Sequence, residues 1–227
     1  MDLQETNSKT FYWIIDYFSK REVTDFHILR PVMPRLQCGP QCGIVALYMA
    51  SKTLNLTGVN SVDQLMTKAI SMGISKNGEI FSARWLAQLA EKAFNCSAQV
   101  HDMSKLSFQQ LKKWIKGNYG LLVPYDSDKN SSPWLNEGRN AHWCFLLGFL
   151  VVKCDMMKKI SCEDGNHVLA LQGKSQYVGV WNFEQLKASN LNLRQIDQRY
   201  RGYCIIPEGG MEVGLRGKLI VLTKTET

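Results

Sequence analysis

The chain has 227 residues, 45% of them hydrophobic, a formal net charge of +7 and a pI near 9.0. That is long and apolar enough to bury a full core, and it excludes the disordered and collagen-like classes. The longest apolar run, Trp143 to Val152, is about half of the roughly 20 residues that a membrane-spanning helix needs. Met1-Asp2-Leu3-Gln4-Glu5 does not open a basic and then apolar leader, so a cytoplasmic protein with no membrane partner is expected. Seven cysteines, an odd number without small-scaffold spacing, are then expected as free thiols. The basic residues are spread along the chain, with one dense cluster at Lys153, Lys158 and Lys159. No RNP, KH or zinc-finger signature accompanies them, so a solvated basic surface is expected and nucleic acid is not a partner.

In chain order, Phe11 to Phe18 reads as a short, packed helix with Asn7 or Ser8 as its cap, and Phe26 to Leu29 as a strand. Arg30 to Gln41 holds three prolines and a glycine and reads as an irregular loop. Helices are expected at Cys42 to Leu54, Ser61 to Ser71 and Ile80 to Phe94; in the last, Phe81, Trp85 and Leu89 share a face that Leu86, Ala90 and Ala93 widen. A strand at Ala98 to His101, a helix at Ser107 to Lys116 and a strand at Gly120 to Tyr125 follow. The polar stretch Asp126 to Asn140 leads into a buried strand, Ala141 to Val152. Further strands are expected at Val168 to Leu171, Tyr177 to Trp181, Tyr203 to Ile206 and Lys218 to Leu222. The fold class is α+β, with helices packed against a mostly antiparallel sheet in one domain over residues 1–227. Residues 1–25 form an N-terminal helix extension of it, and residues 153–166 a variable surface loop.

The chemistry concentrates in Gln37-Cys38-Gly39-Pro40-Gln41-Cys42-Gly43. Cys42 opens an apolar helix, and the unpaired N–H groups and dipole of a helix N-terminus favour a thiolate. A glutamine just upstream, Gln37, can donate its amide N–H to an oxyanion on a carbonyl that the sulfur attacks. A cysteine nucleophile needs a base. Of four histidines (His27, His101, His142 and His167), His142 stands at a strand start directly after a polar loop, where a side chain reaches the lip of a cleft. Asn182 ends the strand before it reaches Phe183 and is the candidate third group, accepting from the imidazole's other nitrogen; Glu184 and Asp197 are the alternatives. Cys42 as a buried structural thiol remains an open reading of the residues. Cys38 and Cys42 also have a metal-ligand spacing, with Cys154, Cys162 and His167 as imaginable partners, but the second spacing is too long and irregular for zinc, so no metal and no cofactor are expected. Gln172-Gly173-Lys174-Ser175 imitates the end of a phosphate-binding loop without its first glycine and reads as a turn between strands.

Several phrases in one order carry a resemblance: Gly39-Pro40-Gln41-Cys42-Gly43 with Val45 to Ala50, Gly78-Glu79-Ile80-Phe81-Ser82, Leu122 to Asp126, Ala141-His142-Trp143, Gln172 to Ser175, Ser189-Asn190-Leu191 and Pro207 to Gly210. The chain resembles papain-like cysteine peptidases of the C39-like type, and more narrowly the actin maturation protease family. The resemblance implies a papain-like fold and a cysteine aminopeptidase that removes the acetylated N-terminal residue of immature actin. It implies Cys42 as nucleophile, His142 as base and Gln37 as oxyanion donor, with Cys38 a bystander. Vertebrate members carry a proline-rich N-terminal segment thought to recruit profilin; this sequence has six prolines in all and nothing like that segment, so profilin recruitment does not carry over. Some relatives have Asp where this chain has Asn182. The acidic N-terminal run of immature actin suits the basic balance of the chain. A catalytically silent actin- or protein-binding module of the same fold is the alternative reading.

Overall fold

A computed structural model describes residues 22–30, 34–153, 165–200 and 202–225. The expected helix at Phe11 to Phe18 and most of the loop expected at 153–166 lie outside them. The elements are β1 (Glu22–Ile28), α1 (Cys42–Thr53), α2 (Val62–Ser71), α3 (Ala83–Ala93), β2 (Cys96–Asp102), α4 (Phe108–Lys116), β3 (Gly120–Asp126), β4 (Ala141–Lys153), β5 (Gly165–Gln172), β6 (Gly179–Asn182), α5 (Phe183–Leu191), α6 (Gly210–Gly214) and β7 (Lys218–Lys224).

The strands form one sheet in the order β2-β7-β3-β4-β5-β6, and every pairing is antiparallel. β4 organises it. Its first half pairs with β3 and its second half with β1 on the same edge, while β5 runs along the other edge. A strand enclosed on both edges reads as an unbroken apolar run, as Trp143 to Leu150 does. α1 is apolar on all sides, with Ile44, Val45, Ala46, Leu47, Met49 and Ala50 buried, and such a helix lies inside the molecule. It packs against β3, β4 and β5, and each fully buried large side chain there stabilises the fold by about 1.5–3 kcal/mol relative to exposure. Serines cap α2, α3 and α4: Ser61, Ser82 and Ser107 each accept from a backbone N–H three residues on.

Tyr203 to Ile206, α5 and the short α6 differ from the sequence reading. Tyr203 to Ile206 is not a strand: its backbone is held by side chains, with Asn77 Nδ2 donating to the Tyr203 carbonyl at 3.0 Å and Ile205 N–H to Glu79 Oε1 at 3.3 Å. α5 was not expected. Asn182 ends β6, as expected, and is also the N-cap of α5, accepting from Glu184 N–H at 2.9 Å and Gln185 N–H at 3.2 Å.

Candidate active site

Residues 34–41 bring the chain to the start of α1, and the Gln37 N–H donates to the Gly173 carbonyl at 2.7 Å, tying this loop to the end of β5. A Cβ on Gly173 would lie 2.7 Å from Gln37 Oε1, so a side chain there would push the Gln37 amide from its place. At Gly43 a Cβ would lie 3.1 Å from the Trp143 ring, and the Trp143 indole N–H donates to the Ile80 carbonyl at 3.0 Å. The first turn of α1 is thereby set against the first residues of β4. One narrow cleft of about 60 Å³ opens between them, lined by Gln37, Cys42, Glu79, His142, Lys174 and Tyr200 among others.

Cys42 is partly exposed on the first turn of α1. Its N-cap residue, Gln41, makes no side-chain capping bond, which leaves the first-turn N–H groups to other acceptors. Burial pushes the Cys42 thiol up, and it outweighs the backbone N–H groups of Trp143, Gly43 and Cys42 itself and the charge of Lys174, which all act in favour of thiolate. The expected stabilising field is present; its effect is overcome by desolvation.

His142 is 2% exposed at the start of β4. Burial first, then the charge of Lys174, push its imidazolium down to about 3, while the bond to Gln172 acts upward. The resting pair is therefore neutral thiol and neutral imidazole. The Tyr125 ring opposes His142 across β3 and β4 and packs on it edge-on, centroids 5.7 Å apart; its hydroxyl donates to the Ser131 carbonyl at 2.7 Å. Asp126, fully buried, accepts from the N–H groups of Asn136, Gly138 and Asn140, which folds the polar loop back beside His142.

His142 Nε2 lies 3.2 Å from Gln172 Oε1. Cys144 and Gln172 are direct partners across β4 and β5, and His142, two residues from Cys144, projects on the same face within diagonal reach. The same Oε1 accepts from the Lys174 backbone N–H at 2.6 Å, and because a backbone N–H only donates, the atom facing it must be the oxygen. Gln172 thus presents an acceptor to Nε2, so Nε2 carries the imidazole proton and Nδ1 keeps its lone pair.

Asn182 is a correction. It stands opposite His167, which stands opposite Leu150, eight residues along β4 from His142; at about 3.3 Å per residue that is roughly 25 Å away. In an antiparallel sheet alternate strands end on opposite sides, so the strand ends level with His142 are those of its two neighbours, β3 at Asp126 and β5 at Gln172. Glu184, in the first turn of α5, shares the remote end. The Asp197 carbonyl accepts from Tyr200 N–H at 3.0 Å in the segment that brings Tyr200 to the cleft. Gln37 lines the cleft; one N–H of its amide donates to the Gly39 carbonyl, and the second meets no acceptor among the described residues. Its Oε1 is buried and meets no donor there. His27 stacks on Phe149 and His101 packs on Trp114, each away from this cleft. Cys38 is exposed. Among the described residues no group of three or more His, Cys, Asp or Glu is placed to hold a metal. Sequence reasoning missed Gln172 and Lys174, although Gln172-Gly173-Lys174-Ser175 had stood out; the signal was a turn that closes the strand beside His142.

A thiol at a helix start and an imidazole at an adjoining strand start, both open to one cleft, make the layout of a hydrolase of the peptidase class. Residues 32–150, more than half of the chain, match the family model described as actin maturation protease-like, C-terminal domain. The chain is 35% identical over 195 residues to the actin maturation protease of Drosophila melanogaster, covering 82% of this chain and 67% of that protein. It is 31% identical over 210 residues to that of Xenopus tropicalis, with 82% and 70% covered, and 28% identical over 223 residues to that of Homo sapiens, with 83% and 63% covered. The chain belongs to the actin maturation protease-like family. A solved C39-like peptidase from Bacillus anthracis covers 89% of this chain at 14% identity and a TM-score of 0.48, too loose a likeness to carry an argument. No helix among the described residues is long and apolar enough to cross a membrane.

Proposed function

We propose that the protein is a cytoplasmic cysteine aminopeptidase that removes the acetylated N-terminal residue of immature actin, working as a single catalytic domain without a cofactor. The observation that carries this reading is the joint placement of Cys42, His142 and Gln37 on one cleft, in a chain 35% identical to an actin maturation protease. The Cys42 thiol adds to the carbonyl of the terminal residue as its proton passes to His142 Nδ1. The second Gln37 N–H and the Cys42 backbone N–H donate to the oxyanion. Nδ1 then returns the proton to the leaving amine as the C–N bond breaks, leaving a thioester that water hydrolyses through the same imidazole. Gln172, in place of Asn182, holds the tautomer that keeps Nδ1 available. A half-buried thiol that stays neutral at rest is suited to this proton-coupled attack rather than to a preformed ion pair.

The test is labelling by a thiol-directed peptidyl inhibitor, with Cys42→Ala and Cys38→Ser beside the native chain. Native protein and Cys38→Ser are expected to label once, at Cys42, and Cys42→Ala not at all. Unlabelled native protein would favour the silent binding module.

A further inference from the structure

Lys174 sits on the lip of the cleft with its side chain exposed. Its backbone is pinned, since its N–H donates to Gln172 Oε1 at 2.6 Å, the oxygen that also faces His142. Among the described residues its ammonium forms no ion pair. The carboxylate among the residues lining the cleft, Glu79, is buried and already satisfied: Oε1 accepts from Lys76 and Ile205 N–H, Oε2 from Asn77 N–H and the Ser75 hydroxyl. The cleft therefore presents an unpaired cation beside its reactive pair, and both Cys42 and His142 feel that charge.

Chemistry fixes which part of a bound peptide passes this cation. The leaving amine takes its proton from His142 Nδ1 and so lies over the imidazole. Gln172 Oε1 faces Nε2, the ring nitrogen away from Nδ1, and the same oxygen accepts from the Lys174 N–H, so Lys174 starts from the Nε2 side of the ring. The chain on the leaving side of the scissile bond must run out past Lys174. We infer that Lys174 is a specificity-determining residue that takes the carboxylate of an acidic residue among the first two residues on the leaving side of the scissile bond. This rests on the peptidase reading above and adds to it the residue that would read an acidic side chain just beyond the cut. A carboxylate meeting an exposed cation on the lip of a cleft makes a charge-assisted contact of modest strength, on the fewfold scale in rate that the test below reads.

Two peptides differing only in Asp-Asp or Asn-Asn after an acetylated first residue test it. The native chain, Lys174→Met, Lys174→Arg and Lys174→Glu are compared by the Asp/Asn ratio of kcat/KM at fixed salt. The native ratio is expected at about fivefold or more in favour of Asp, kept by Lys174→Arg, near unity in Lys174→Met and inverted in Lys174→Glu. A native ratio near unity overturns the inference. So does a Lys174→Met variant that slows both peptides equally, because the ammonium would then act on Cys42 and His142 alone. Dissociation constants of the same peptides for Cys42→Ala, with and without Lys174→Met, separate this from failure of the peptidase reading. An Asp preference in binding that Lys174→Met removes supports the lysine's role even where no peptide is cleaved, and equal binding of both peptides sinks it.

Discussion

Replacing Gln172 by Glu tests the imidazole's support most sharply, because it changes charge while keeping the shape of the bond. In the native chain Oε1 lies 3.2 Å from His142 Nε2, and burial with the Lys174 charge holds the imidazolium at about 3. A carboxylate at that distance favours the charged ring, and opposite charges this close raise a pKa by about 1–3 units. His142 is therefore expected at about 4–6 in Gln172→Glu. In the proposed mechanism His142 is a neutral base, so activity is lost as pH falls through its pKa and the acid limb of kcat/KM should move up by about 1–3 units. At neutral pH turnover should stay within about tenfold of native, since Nε2–H still has its acceptor. Gln172→Ala, which frees the tautomer, should lower turnover by about 10–100-fold without preventing inhibitor labelling of Cys42. The assay is a pH–rate profile from about pH 3.5 to 8 with circular dichroism at each point to confirm folding. An acid limb that stays put in Gln172→Glu, or full turnover in Gln172→Ala, would refute the assignment of Gln172.

Burial of neutral His142 also links stability to pH. Its folded pKa is depressed, so between about pH 6.5 and 3 the unfolded chain binds a proton that the native chain does not, and stability falls as pH falls. From pH 6.5 to 4.5 this amounts to about 2–3 kcal/mol; urea unfolding should show that extra loss in the native chain relative to His142→Gln, and parallel curves would contradict it. Gln37→Ala should lower turnover by about 10²-fold with its melting temperature little changed, the scale for losing one oxyanion donor; a variant that only melts earlier would make Gln37 structural. Asn182→Ala should cost about 1 kcal/mol as a lost helix cap and leave kcat unchanged; a large fall in kcat without destabilisation would return Asn182 to the site.

The elements that periodicity and turn residues specify locally were legible in the sequence. The central helix is readable from Ile44 to Ala50, and β4 from Trp143 to Leu150, because both are apolar runs bounded by breakers, and the serine caps of three helices are local signals. Cys42, His142 and Gln37 stand out in the sequence as residue types at a helix start, a strand start and a loop, and the structure brings the three to one cleft. The acceptor beside the His142 ring does not stand out as such in the sequence. Which strand end stands level with His142 depends on pairing order and direction, and Asn182 and Gln172 look alike in one dimension: each is an amide that closes a strand. Only register puts one beside the imidazole and the other roughly 25 Å away. Asn182 also had a local use that competed with the site, as the cap of α5. Tyr203 to Ile206 carries strand-like residues, yet the Glu79 carboxylate and the Asn77 amide hold its backbone instead of a neighbouring strand. The thiol's state was missed for a related reason: the helix field is local and visible in sequence, whereas the burial that outweighs it comes from the whole fold.

The central claim is that Cys42 cuts an acetylated first residue from actin. Its most direct test is incubation of the purified protein with a peptide of the acetylated actin N-terminus, followed by mass spectrometry of the products, with Cys42→Ala treated alongside. The expected result is loss of one acetylated amino acid from the peptide, its release as a free acetylated residue, and no product with Cys42→Ala. An intact peptide after incubation with native protein, or equal cleavage by Cys42→Ala, would contradict the account.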